Sequence, residues 1–336
     1  MRTFPDFPLF VLSSLRSVLI DNRTLNCVWE LTYRCNAQCG FCHYWRKPAS
    51  PRDELTLAEI HQAIYRVYRC GCRLINFSGG EPTLRDDLEE IVRYASSLRI
   101  WTSLTTNGSR LDRDRIRRLR TAGLDNLFIS LDFNDGAAHD RHRHIEGLYD
   151  NIMSNVAILK GDFLGGHRTA GIMCVVSNHN LESARQLTEI ASRHGVFISF
   201  QLYHPKKVAV ESFRIQDPRT IAETLVALKK SHWNVISSRS YLKGMGRGHT
   251  RRPCSAGRKY FSIDPMGYLH PCVDLPAVGH VLRDPVSVTR SPSALSAVHG
   301  CSGCWYCFRG EADHALSMRG SLEKIGQFGG IIWRGR

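Results

Sequence analysis

Cys35, Cys39 and Cys42 stand in a C-x3-C-x2-C spacing on a loop-like stretch, directly after the apolar run Cys27-Val28-Trp29-Glu30-Leu31-Thr32. Three thiolates this close in the chain can face one metal centre. A [4Fe–4S] cluster ordinarily takes four protein thiolates, one per iron. Three leave one iron open, and an open position is what separates a catalytic centre from a closed structural one. The same loop also fits a zinc ion completed by His43, and spacing alone leaves both readings open. A second group, Cys254, Cys272, Cys301, Cys304 and Cys307, offers one thiol more than the full ligation of one cluster requires.

These residues sit in a chain of 336 residues with 43% hydrophobic content, which suits a barrel-sized domain plus a smaller one. Twelve cysteines are many, but the chain is too long for a small disulfide scaffold. The clustered spacing favours metal ligation and a reducing cytoplasm. Cys27, Cys70, Cys72 and Cys174 lie in apolar segments and read as small buried hydrophobes. The formal charge of +14 admits nucleic acid, an anionic membrane surface, an acidic substrate or a merely solvated surface. The arginines are scattered, as from Arg110 to Arg120, rather than set in a block with aromatics, which argues against nucleic acid. The first twenty residues are apolar but too short and interrupted to span a bilayer. They read as a helix packed on the outside of the fold, with an interfacial membrane helix as the sharper alternative.

The elements that must position the first thiols alternate. Strand-like runs are Val28–Thr32, Leu74–Ser78, Trp101–Thr105, Asn126–Leu131, Gly171–Val176 and Val196–Leu202. Between them, Leu57–Tyr68, Leu88–Leu98, Arg113–Ala122, Tyr149–Leu159 and Leu181–His194 carry helical apolar spacing. Such alternation predicts an α/β fold of parallel strands with helices outside. In barrels of this kind the chemistry gathers at the C-terminal ends of the strands. Further on, Ile221–Lys230 reads as a helix, and the glycine-rich stretch from Lys243 to Gly248 as a joint between domains.

The strand ends carry specific sequences. Ser78-Gly79-Gly80-Glu81-Pro82 follows the second strand; paired glycines let the backbone come close to a ligand, and Pro82 suits a helix start. The third strand ends in Thr105-Thr106-Asn107-Gly108 and the fourth in Ser130-Leu131-Asp132. Then come His139-Asp140-Arg141-His142-Arg143, Ser177-Asn178-His179-Asn180 after the fifth strand, and Tyr203-His204 after the sixth. Together with Phe41 just before the last thiol of the loop, this succession resembles the radical SAM superfamily.

The resemblance spans about residues 27–204 and 254–307. It implies a partial (β/α)6 TIM-type barrel whose [4Fe–4S] cluster, on Cys35, Cys39 and Cys42, binds S-adenosylmethionine at its open iron. An electron from the cluster then cleaves the sulfonium to a 5′-deoxyadenosyl radical. It further implies that Gly79, Gly80, Glu81 and Pro82 contact the methionyl amino group, and that Thr106 and Asn107 border the cofactor. Ser130 and Asp132 approach the ribose, Arg143 reaches the carboxylate with its two parallel donors, and Asn178 lies nearby. The family pattern usually places glycine where this chain has His144. Tyr203 and His204 are the candidate substrate-facing, catalytic side chains at the barrel mouth.

In the second cysteine group, Tyr260–Ile263 and Tyr268-Leu269-His270 flank the turn Asp264-Pro265-Met266-Gly267 and read as a hairpin that brings Cys254 and Cys272 to a common end. A zinc ribbon would use the same residues. The C-x12-G-x4-C spacing followed by C-x2-C resembles the Twitch domain, the short form of the SPASM domain. That implies one auxiliary [4Fe–4S] cluster on four of the five cysteines, with Cys301 and Cys304 the favoured pair and Cys307 able to replace one.

The expected organisation is an N-terminal apolar helical segment (1–22), a core barrel (23–205), a linker with a helix (206–250), a Cys-rich β-hairpin domain (251–312) and a tail (313–336). The expected function is reductive cleavage of S-adenosylmethionine and hydrogen abstraction from a substrate, leading to oxidation or bond formation. A low-potential donor such as flavodoxin or ferredoxin would supply electrons. No winged-helix leader-binding domain is read at the N-terminus, which favours a small-molecule or lipid-like substrate over a peptide. The expected location is cytoplasmic, with the inner membrane face as an alternative. The rival is a non-enzymatic zinc or iron–sulfur protein that binds nucleic acid; it leaves the strand-end motifs unexplained.

Overall fold

The computed structural model describes residues 26–204, 210–246, 254–301, 304, 306, 307 and 311. The N-terminal apolar segment and the tail lie outside the described residues, as do parts of the linker.

Six strands, β1 (Asn26–Thr32), β2 (Leu74–Gly79), β3 (Trp101–Thr106), β4 (Asn126–Ser130), β5 (Thr169–Val176) and β6 (Phe197–Leu202), run parallel in the order of the chain. Their connections carry helices α1 (Leu57–Arg69), α2 (Leu88–Ser97), α3 (Arg113–Ala122), α4 (Gly136–Arg143), α5 (Leu148–Asp162) and α6 (Leu181–Arg193). This is the parallel α/β arrangement that the alternation predicts, and the partial barrel that the resemblance implies, with strand ends displaced by a residue or two.

Local chemistry sets the boundaries. Thr56 and Glu59 form a reciprocal capping box at the start of α1, which satisfies two otherwise orphaned donors. α1 then buries Ile60, Ala63, Ile64 and Val67, one face at helical spacing. Strands covered on both sides read as continuous apolar runs, and β1 is buried from Cys27 to Thr32.

The linker holds α7 (Pro218–Ser231) and α8 (Arg239–Met245), so the predicted helix is longer than its apolar stretch, and part of the glycine-rich joint is helical. The hairpin forms from β7 (Tyr260–Ile263) and β8 (Tyr268–His270), followed by the short β9 (Gly279–His280) and the helix α9 (Pro292–His299). It is not set apart from the barrel. β7 pairs in parallel with β1, with Trp29 opposite Ile263, so among the described residues one nine-stranded sheet runs β6-β5-β4-β3-β2-β1-β7-β8-β9. Periodicity identifies a strand but not the neighbour it takes.

Candidate metal centre

The cysteine loop leaves the C-terminal end of β1 and is tied to three neighbouring strand ends. Gly80 N–H donates to Thr32 O at 2.7 Å and Glu81 N–H to Arg34 O at 2.8 Å. A Cβ on Gly80 would lie 2.2 Å from Arg34 O, and one on Gly79 (φ +117°) 2.4 Å from Thr32 O. Both glycines are therefore demanded by a close backbone approach; here the partner in that approach is the base of the cysteine loop.

Glu81, 1% exposed, organises the next layer. One oxygen accepts from Thr83 N at 3.0 Å, Thr83 Oγ1 at 2.5 Å and Thr106 Oγ1 at 2.6 Å; the other accepts from Asn107 N at 2.6 Å. Pro82, buried, opens the 3-10 turn that follows. Asn107 Nδ2 donates to Asn36 Oδ1 at 2.9 Å, and Asn36 Nδ2 to Ser109 Oγ at 2.8 Å. The ends of β2 and β3 thus hold the cysteine loop through a carboxylate and two amides.

The end of β4 supplies a buried charge pair. Asp132 is fully buried. One of its oxygens accepts from Arg143 Nε at 3.0 Å and Nη2 at 2.5 Å; the other accepts from Val175 N at 2.8 Å. Burial alone would raise the Asp132 carboxyl, but Arg143, His142 and His139 beside it bring it below its ordinary value. Arg143 Nη1 lies 3.8 Å from Cys39 Sγ, and its main-chain oxygen accepts from Gln38 N at 3.2 Å. His144, where the resembling pattern has glycine, takes the left-handed conformation glycine favours, with φ 56°.

Ser130 is half-buried at the end of β4, opposite Met173 of β5. Asn178 is exposed and holds the segment after the sixth strand: its side chain donates to Arg214 O and accepts from Gln216 N at 3.1 Å. The asparagine that joins β4 to β5 is Asn180, whose Nδ2 donates to Asp132 O at 2.9 Å and Val175 O at 2.8 Å. Its signal in the sequence was its place two residues beyond Asn178 in the same turn.

Tyr203 and His204 are buried at the end of β6. Tyr203 OH accepts from Val210 N at 3.2 Å, and its ring lies 5.6 Å from that of Phe213. Phe213, which the sequence did not single out, also meets Phe41 and His142, while Phe41 stacks on His142 at 4.8 Å. The ring of His204 lies 5.4 Å from that of Tyr306, which precedes Cys307 in the chain.

The donor set on the loop suits an iron–sulfur cluster: three free thiols, with N–H donors of Ala37 and Arg143 directed at the sulfurs of Cys35 and Cys39. Burial pushes the Cys35 thiol up to about 12 and raises that of Cys39 against the pull of Arg143. Metal binding there must therefore displace protons.

In the second group, Cys254 and Cys272 belong to a small apolar cluster with Ala256, Tyr260 and Val298. Cys254 Sγ lies 3.1 Å from Tyr260 OH. Cys304 is buried, and burial raises the Cys272 thiol, with Cys304 and Cys254 adding to the rise. Cys307 Sγ donates to Gln201 Oε1 of β6 at 3.1 Å, and the residue packs on the core of the barrel.

Residues 29–191 match the model of the Radical SAM superfamily. The AdoMet-dependent heme synthase of Methanosarcina barkeri (strain Fusaro / DSM 804) is 33% identical over 168 residues, 50% of this chain and 47% of that protein. The chain thus spans about half the length of that relative. The PqqA peptide cyclase of Rhodopseudomonas palustris (strain ATCC BAA-98 / CGA009) is 26% identical over 318 residues, 82% of this chain and 78% of that protein. Among solved structures, Streptococcus suis SuiB bound to S-adenosylmethionine shares the fold, with a TM-score of 0.69 at 15% identity over 83% of this chain and 68% of that one.

Proposed function

We propose, from the match of residues 29–191 to the Radical SAM superfamily model, an enzyme that cleaves S-adenosylmethionine reductively and takes a hydrogen atom from a carbon of its substrate. The observation that carries this reading is the cysteine loop, held at the ends of β2, β3 and β4 by Glu81, Asn107, Asn36 and the Asp132–Arg143 pair. When bound on Cys35, Cys39 and Cys42, the cluster supplies the electron that opens the sulfonium. The chain's own residues hold the thiols, fix the turn of Gly79, Gly80, Glu81 and Pro82 beside them, and pack Phe41, His142 and Phe213 against one another next to the loop. Thr106, Asn107, Ser130, Arg143 and Asn178 remain the proposed surroundings of S-adenosylmethionine; the fully buried Asp132 would act there through Arg143.

A second cluster would sit on Cys254, Cys272, Cys301 and Cys304, a choice supported by the hydrogen bond of Cys307 to Gln201. Full cysteine ligation suits electron transfer, so the net reaction would be an oxidation or a bond formation. We take a peptide as the substrate class, in preference to the small-molecule or lipid-like one favoured by the sequence. The reason is that the match to the PqqA peptide cyclase covers four-fifths of the chain, whereas the match to the heme synthase covers half. Tyr203 and His204 would face it. The electron donor would be a flavodoxin or ferredoxin. No helix of the described residues is long and apolar enough to cross a membrane.

The test is anaerobic reconstitution, an iron and sulfide count, and a dithionite-dependent assay for 5′-deoxyadenosine. About eight irons with cleavage, and loss of cleavage in Cys39→Ala, support the reading. Zinc without cleavage would sink it and restore the nucleic-acid-binding rival. Stimulation of cleavage by short peptides but not by tetrapyrroles tests the substrate class.

A further inference from the structure

Arg143 does more in this structure than reach outward. Its guanidinium spends Nε and Nη2 on one oxygen of Asp132, which leaves Nη1 directed at Cys39 Sγ, 3.8 Å away. The arrangement is pinned from every side. Asp132 cannot swing, because its second oxygen accepts from Val175 N and its main-chain oxygen from Asn180 Nδ2. The guanidinium carbon lies 5.1 Å over the ring of Phe41, and His142 Nε2 lies 3.6 Å from the same Asp132 oxygen. The main chain of Arg143 accepts from Gln38 N, inside the cysteine loop itself. The side chains of Asp132 and Arg143 are 0% and 8% exposed. A charge held this rigidly against one ligand sulfur is a bias on whatever electron that sulfur's metal centre receives.

We propose that Arg143, positioned by Asp132, sets the reduction potential of the cluster on Cys35, Cys39 and Cys42; the proposal rests on the reading of that loop as a cluster site. Reduction adds one negative charge to the cluster. A nearby cation and an N–H donor to a ligand sulfur stabilise the reduced form and raise the potential. Burial strengthens the effect, because the intervening medium screens poorly. Asp132 has two opposed influences: it aims the guanidinium and partly cancels its charge. Arg143 is thus a positioning and electrostatic residue for electron entry, in addition to any contact with the carboxylate of S-adenosylmethionine.

The experiment is an EPR-monitored redox titration of the anaerobically reconstituted full chain without S-adenosylmethionine. The relevant signal is the one that changes when S-adenosylmethionine is added. Arg143→Gln is expected to lower the midpoint by a tenfold shift in the one-electron equilibrium or more, which is 59 mV. Asp132→Asn removes a buried negative charge and is expected to raise it. General loosening of the site would move both variants the same way. An Arg143→Gln enzyme that holds its iron at the wild-type potential overturns the proposal, even if its affinity for S-adenosylmethionine falls. Should that variant not hold iron, an Asp132→Asn potential that is unchanged or lower overturns it. Wild-type protein labelled with 15N-arginine gives a third arm: a 15N hyperfine coupling to the reduced cluster is expected, and its absence overturns the proposal. Wild-type protein with no such signal and no cleavage would instead defeat the reading of the loop itself.

Discussion

Glu81→Gln strikes the carboxylate on which the strand-end network converges. Glu81 is 1% exposed and takes four hydrogen bonds, three on one oxygen and one on the other. Glutamine preserves the shape but offers one acceptor oxygen. In one orientation its NH2 faces the Asn107 N–H; in the other it faces the Thr83 N–H. Either way two donors confront each other and one buried backbone donor loses its acceptor. A hydrogen bond to a charged group contributes about 1.5–3 kcal/mol and an orphaned buried donor costs about 1–3 kcal/mol. The two overlap, so the expected loss is roughly 2–4 kcal/mol. With about 2.1 cal/mol/K of unfolding entropy per residue, that lowers Tm by roughly 3–6 °C. The assay is anaerobic thermal unfolding of wild type and Glu81→Gln, read by circular dichroism beside an iron count on the same samples. A variant that melts within about 1 °C of wild type and carries full iron refutes the role given to Glu81.

Other consequences are as direct. Burial holds His139 at about 4, against about 6.5 when unfolded. A base with a lowered folded value is favoured neutral in the fold, so its contribution is present above pH 6.5 and is lost as the pH falls towards 4. Chemical denaturation should show wild type losing about 2 kcal/mol more than His139→Gln between pH 6.5 and 5. Cys272→Ser should halve the iron content, whereas Cys307→Ser should leave it intact; the reverse pattern would exchange their assignments. His144→Gly relieves the left-handed strain that His144 bears at φ 56°, about 1–2 kcal/mol less the roughly 0.5–1 kcal/mol of chain entropy glycine loses on folding, so a gain of up to about 1 kcal/mol is expected in the denaturant midpoint, and a loss refutes the strain.

The sequence made the barrel legible because parallel strands covered on both faces are apolar throughout and each is followed by a helix of clear period. The cysteine loop and the two glycines were legible because few other residues satisfy their demands. What the sequence hid was pairing. Nothing in Asp132 or Arg143 says that each is the other's partner rather than a ligand's. Asn178 and Asn180 are chemically identical, and only burial separates the surface latch from the strand tie. The residues Tyr260, Phe261 and Ile263 of β7 announce a strand, yet their place beside β1 depends on a register between distant parts of the chain.

That register has a consequence for biosynthesis. β1, the strand that launches the cysteine loop, obtains its second neighbour from a segment roughly 230 residues further along the chain. At translation rates of about 5–20 residues per second, β1 remains an unpaired edge for on the order of ten to fifty seconds. An apolar edge strand exposed for that time invites pairing with other chains. Delivery of iron and sulfur to the loop is therefore best timed after β7 has emerged and docked, and truncations that stop short of residue 263 are expected to aggregate before they can be loaded.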